Sequence, residues 1–281
     1  MRIVKTEKIY QEVKRILCEI AFAYPSDVQN ALAYAKSIET EERASAILTM
    51  LEENAQIAQE ENIPICQDTG MVVVYSKIGQ EVYLEGEYIE CCIQRAVREA
   101  YQESYLRKSI VSDPLFERIN TNDNTPAIVY YQIVEGDQIE IEVVAKGFGS
   151  ENMSALKMCK PADGLDGVKE FVIETIKKAG PNACPPMVVG IGVGGSFDYA
   201  TFLAKKALFR SFDSSNEKKE YADLEKELLK EINELNIGPM GLKGKTTALK
   251  VNIEWFPTHI AALPVAVNIN CHVHRHQKVL L

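Results

Sequence analysis

Ala127-Ile128-Val129-Tyr130-Tyr131-Gln132-Ile133-Val134, then Glu135-Gly136-Asp137, then Gln138-Ile139-Glu140-Ile141-Glu142-Val143-Val144-Ala145, is the stretch on which the fold class turns. Two runs rich in β-branched and aromatic residues flank an acidic turn built on Gly136. In the second run Ile139, Ile141 and Val143 alternate with acids, so apolar side chains point one way and carboxylates the other. The pattern predicts an antiparallel hairpin with one wet face.

Upstream of the hairpin the period changes from 2 to 3.6. Residues 4–23 place Ile9, Val13, Ile16, Leu17 and Ile20 on one helical face, and Pro25 ends that helix. Ser26-Asp27 can cap a second helix over about 27–38. A third begins at Thr40 with Ala44, Ile47, Leu48, Leu51 and Ala55 as its stripe. Residues 1–62 therefore read as a helical N-terminal lobe, leading into a sheet-containing body over about 63–281. The fold class expected is mixed α/β (α+β). Within the body a strand-like run, Met71 to Ser76, precedes a helix over about 87–108. That helix turns Ile89, Ile93, Ala96, Val97 and Ala100 inward, and Arg107 and Lys108 stand at its end, where cations suit the helix dipole. Further helices are expected near 166–179, 197–210 and 217–235, with a buried strand at Met187–Ile191. Cys159 falls in a short helix after a Gly-rich loop, Lys146 to Asn152.

The chain has 281 residues, 46% of them hydrophobic and 25% charged, with a net charge of -9. This is the composition of an ordinary soluble domain or two. No Lys/Arg cluster offers the basic surface that nucleic acid requires, and no apolar run is long enough to span a membrane. The opening residues show no apolar core of a signal peptide, so the cytoplasm is the expected compartment. Seven cysteines is an odd number for a disulfide framework, which leaves free thiols or metal ligation.

Several stretches carry possible chemistry. Gly190-Ile191-Gly192-Val193-Gly194-Gly195 nominally matches a dinucleotide-binding turn, with a strand before it, a helix after it and Asp213 near the offset for a ribose contact. A nucleotide-dependent oxidoreductase is the reading it would support. The true fingerprint opens a βαβ unit, whereas here a hairpin precedes it and Asp213 lies in a Ser- and Asn-rich linker. A loop that brings a strand close to a bound anion or cluster is preferred. Gly244-Lys245-Thr246 lacks the upstream Gly of a phosphate-binding loop. Among the cysteines, Cys18, Cys91, Cys92 and Cys159 read as structural, while Cys66, Cys184 and Cys271 lie in loops with proline or polar neighbours. Three thiolates on one centre would leave an open coordination position, the arrangement of a Lewis acid. All four histidines lie beyond Trp255. His272, His274 and His276 alternate, which puts them on one face without converging them, and they are expected at a surface or interface. His259, behind Pro257, is the better catalytic candidate.

Taken in order, Ile65-Cys66-Gln67-Asp68-Thr69-Gly70, Gly149-Ser150-Glu151-Asn152, Cys184-Pro185-Pro186, Gly190 to Gly195, Gly238-Pro239-Met240-Gly241 with Lys245 to Leu249, and Pro257-Thr258-His259 through Cys271 resemble one family. It is the α subunit, or N-terminal half, of class I iron–sulfur hydro-lyases: fumarate hydratase and tartrate dehydratase. The resemblance departs at Lys243, where a glycine is expected, which bears on the backbone of that loop. It implies a [4Fe–4S] cluster on Cys66, Cys184 and Cys271, and a small dicarboxylate substrate held by Gln67, Arg107 and Gly149. Asp68 is then the candidate proton relay, and His259 the candidate for general acid or for orienting the substrate. It also implies a separate β subunit, in an α2β2 assembly, supplying further substrate-binding groups. Fumarate hydratase is the activity expected, with L-tartrate dehydratase as the alternative.

Overall fold

The computed structural model of the protein describes residues 1–281. In chain order its elements are β1 (Arg2–Lys5), α1 (Thr6–Phe22), α2 (Ser26–Ile38), α3 (Glu42–Glu61), β2 (Met71–Gly79), β3 (Val82–Glu85), α4 (Ile89–Glu103), β4 (Ile128–Val134), β5 (Ile139–Lys146) and α5 (Phe148–Glu151). They continue with β6 (Ala155–Cys159), α6 (Gly164–Ala179), β7 (Met187–Gly194), α7 (Phe197–Ala207), α8 (Lys219–Glu234), β8 (Ala248–Phe256), β9 (Leu263–Asn270) and β10 (Arg275–Leu280). The fold is α+β, as expected. The elements gather into two compact units. The first is made of Met1–Pro25, Ala55–Phe148 and Arg275–Leu281, the second of Ser26–Asn54 and Gly149–His274. The three N-terminal helices are shared out between them. α1 belongs to the first unit and α2 to the second, and the chain passes from the second to the first within α3.

The first unit is built on a four-stranded sheet in the order β10-β5-β2-β4. This corrects the expected hairpin. β4 and β5 do not pair with each other, because β2 lies between them, parallel to β4 and antiparallel to β5. The cause can be seen in β2, whose residues are buried almost throughout. A strand apolar on both faces needs a central place, and a two-stranded hairpin could not cover it. The Glu135-Gly136-Asp137 turn accommodates the insertion: Gly79 N donates to Gln138 O at 2.8 Å and Glu81 N to Gly136 O at 2.9 Å. The alternation in β5 does separate its two faces. Ile139, Ile141 and Val143 are fully buried beneath α1, in a core that α4 also joins, and on the opposite face Glu140 meets Lys77. The predicted stripe of α1, from Ile9 to Ile20, joins the same core.

The second unit has its own core around a sheet of order β6-β9-β7-β8. β7 is parallel to β8 and antiparallel to β9. Cys159 ends β6, paired with Leu263, and is in a strand rather than the expected helix. The glycine run is also relocated, since Gly190, Gly192 and Gly194 lie within β7. A Cβ at Gly190 would come within 2.3 Å of Ala204 O, and one at Gly192 within 2.0 Å of Ala200 O. These glycines let the backbone of α7 lie directly on β7, which accounts for them without a nucleotide. No helix is long and apolar enough to cross a membrane.

Candidate functional site

The predicted site residues fall into two groups, one on each unit. In the first unit the loop between α3 and β2 carries Cys66, Gln67 and Asp68. Its shape is set by side chains. Asp68 Oδ1 accepts Gly70 N at 3.0 Å and Oδ2 accepts Phe148 N at 2.8 Å, so both carboxylate oxygens are engaged by backbone. Tyr101, buried in α4, directs its hydroxyl at Thr69 O (2.8 Å) and Gly70 O (3.0 Å). Burial pushes that phenol up to about 12, which keeps it a donor. The buried Asn124 donates to Gly70 O at 3.1 Å. Gly70 has φ +87° and lies so close to β5 that a Cβ would stand 2.9 Å from the Ala145 carbonyl carbon. Only glycine fits there.

Arg107 lies beyond α4, which ends at Glu103, so it does not cap that helix. Its carbonyl accepts the Thr69 hydroxyl at 2.7 Å, and its Nη1 donates to Gln67 Oε1 at 3.0 Å. Both side chains are exposed. The pair presents the remaining guanidinium donors and the Gln67 amide to solvent, a donor set suited to a carboxylate. Sequence reasoning missed Arg275. It opens β10, is 1% exposed, and donates from Nη2 to Asp68 O at 2.9 Å. Nothing next to it in the sequence marks it, because its partner, Asp68 O, lies 207 residues away in the chain.

The second unit holds Gly149, Cys184, His259 and Cys271. Cys184 follows a 3-10 turn at Gly180–Ala183 and takes φ +50°, a left-handed conformation rare for a side chain larger than glycine. The Pro185–Pro186 bond after it is cis. Backbone bonds fix this loop on two sides, with His272 N donating to Cys184 O at 3.2 Å and Met240 N to Pro185 O at 2.8 Å. The structure thus brings together Cys184, the Gly238–Gly241 loop and the Cys271–His272 step. Gly149 is close by, as its absent Cβ would point to Asn182 O at 4.0 Å, and the Ser150 hydroxyl lies 3.4 Å from Asn270 Oδ1. Lys243, standing where glycine was expected, itself adopts φ +70°.

His272, His274 and His276 are buried within the chain, where a surface or interface position was expected. His274 stacks on Phe212, with centroids 5.6 Å apart and a 20° interplanar angle, and its Nδ1 lies 2.6 Å from Asn270 Nδ2. His259 is different. It is exposed in the loop between β8 and β9, where Nδ1 accepts Ala261 N at 3.2 Å. The neutral ring then carries its proton on Nε2, the end free to donate.

None of the seven cysteines is in a disulfide. Cys66, Cys184 and Cys271 are half-buried on loops, whereas Cys92 and Cys159 are buried in regular elements. No three His, Cys, Asp or Glu side chains are grouped as a single metal ion would need. Half-buried thiols on loops are the donor chemistry that an iron–sulfur cluster would take.

Residues 10–280 match the family described as fumarate hydratase (Fumerase). The chain belongs to that fumarate hydratase family. With it, the protein is a hydro-lyase. It is 45% identical over 274 residues to a Methanocaldococcus jannaschii protein named "Putative L(+)-tartrate dehydratase subunit alpha", covering 95% of each chain. It is also 34% identical over 278 residues to the L(+)-tartrate dehydratase subunit alpha of Escherichia coli O157:H7, covering 98% of this chain and 91% of that one. The same identity and span relate it to the corresponding subunit of Shigella boydii serotype 4.

Proposed function

We propose that this chain is the α subunit of a dehydratase acting on a small 2-hydroxy dicarboxylate, with L(+)-tartrate as the first candidate substrate. What carries the reading is the 45% identity, over 95% of both chains, to a protein named for tartrate dehydration. Hydration of fumarate to malate is the second reading, favoured by the description of the family. The "subunit alpha" of the relatives' names supports a β subunit as partner.

Cys66, Cys184 and Cys271 would hold a [4Fe–4S] cluster, which supplies a Lewis acid for the departing hydroxyl. The other parts of the chemistry fall to the chain's own side chains. Arg107 and Gln67 bind one substrate carboxylate, the Arg in bidentate fashion, and so fix which carbon faces the reacting groups. Gly149 offers backbone without a side chain at an open position. His259, with its Nε2–H available, orients the hydroxyl that leaves; a base takes the proton on the neighbouring carbon, the carbon–oxygen bond breaks as the carbon–carbon double bond forms, and the departing hydroxide is protonated to water from solvent. Asp68, with both oxygens already accepting backbone N–H groups, holds the loop in shape. Any proton it relays must use the lone pairs left on those oxygens.

The test is anaerobic co-purification of the chain with its partner, followed by assays on fumarate, malate and both tartrates. Turnover of L(+)-tartrate to oxaloacetate well above fumarate hydration is the expected result. Preferential fumarate hydration would move the assignment to the second reading, and turnover of neither would overturn both.

A further inference from the structure

Arg275 is among the largest fully buried side chains of the protein. Its guanidinium carries five N–H donors and a permanent charge, yet the structure uses them sparingly. Nη2 bonds to Asp68 O, while Nε and Nη1 are buried without a hydrogen-bond partner. Unmade donors on a buried charge are costly, and an apolar side chain of similar length would serve packing better. Stability alone does not account for an arginine here.

What the arginine does reach is informative. Asp68 offers two kinds of acceptor. Its carboxylate is committed to Gly70 N and Phe148 N, which leaves the carbonyl. Arg275 takes that carbonyl from a rigid base, because its own backbone is paired with Ala145 in β5. The loop is therefore clamped from two sides at one residue, next to Gln67 and two positions from Cys66. Gly147 completes the packing, since a Cβ on it would stand 3.3 Å from Asp68 Oδ2 and 3.9 Å from Arg275 Nη2.

We propose that Arg275 is a positioning residue for the Cys66-Gln67-Asp68 segment, fixing the peptide after Asp68 and with it the directions in which Cys66 and Gln67 are presented. This rests on the reading that the segment meets substrate and cluster. Buried donors left without partners are then a cost in stability accepted for the loop's geometry.

Two variants test this, Arg275→Met and Arg275→Lys, each made in the full chain. In the Met variant the melting temperature should equal or exceed that of the parent, because a poorly satisfied buried charge is removed. Cys66 in the metal-free chain should be alkylated about tenfold faster relative to Cys184, read by mass spectrometry, as the loop opens more often. With the partner present, kcat/KM should fall by at least about tenfold, since small misplacements of binding groups are expensive. The Lys variant, which can still reach Asp68 O, should recover most of the Cys66 protection. Unchanged Cys66 reactivity in the Met variant would overturn the proposal. So would a melting temperature that falls in step with activity and is not restored by Lys. The alkylation readout needs no substrate, so it decides the role of Arg275 even if the parent protein dehydrates none of the acids tested.

Discussion

The loops around Cys66 and Cys184 present the same kind of thiol by opposite means. Around Cys66 the backbone is held by side chains: Asp68, Tyr101, Asn124 and Arg275 each send a polar group to a main-chain atom. Around Cys184 it is held by main chain bonding to main chain, with a left-handed φ at the cysteine itself and a glycine-rich neighbour packed against Pro181. The difference bears on how each loop fails. The first should be sensitive to losing side-chain atoms and the second to gaining them.

The largest effect expected treats the two loops alike. Replacing Cys66, Cys184 or Cys271 with Ser should abolish the cluster absorbance of anaerobically purified protein and lower activity by more than the roughly 10–100-fold typical of groups that only support a ligand. A Cys184→Ser protein with full iron content would break the ligand assignment. Next, Asp68→Ala removes two acceptors from backbone N–H groups and should cost about 2 kcal/mol by chemical denaturation. In the second unit the matching change adds atoms. Gly241→Ala puts a Cβ 2.4 Å from that of Pro181 at φ +76°, and should cost about 1–3 kcal/mol. If Asp68→Ala were silent, the contrast between the loops would be lost.

Arg107→Lys keeps the charge but not the planar fork, and should raise KM about tenfold with a smaller change in kcat. Titration supplies a further test within the first unit. Burial, with Glu140 alongside, pushes Glu142 up to about 7 against the pull of Lys77. A buried acid with a raised pKa binds its proton more readily folded than unfolded. Stability should therefore be highest below its unfolded value and fall as pH rises towards 7, by at most about 1.4 kcal/mol per pH unit. Melting curves of Glu142→Gln should show a flatter slope across that window. The smallest effect is Lys243→Gly, which relieves a left-handed residue but frees the unfolded chain, for a net gain of about 0.5 kcal/mol.

What could be read from the sequence follows from what each signal measures. Helical spacing identified the buried stripe of α1, and strand alternation told the two faces of β5 apart, because both depend only on neighbouring residues. Alternation does not say which strand lies alongside, so the insertion of β2 between β4 and β5 was out of reach. The motifs around Cys66, Cys184 and Cys271 were visible because loops of unusual composition advertise themselves. Arg275 and the buried histidines did not. Their role depends on long-range partners such as Asp68 O and the Phe212 ring, and a charged or titratable residue near other polar residues looks the same whether it ends up inside or outside.

The placement of β10 has a consequence for how the protein is made. Its strand completes the first unit's sheet against β5, and Leu281 N and O both pair with Ile139. Between β5 and β10 the ribosome must synthesise the whole of Gly149–His274, which forms the second unit. Through that interval β5 has an unpaired edge above an apolar face, the kind of surface on which nascent chains associate wrongly. Yield on overexpression should accordingly depend on the speed of elongation through the second unit and on chaperones that shield the waiting edge.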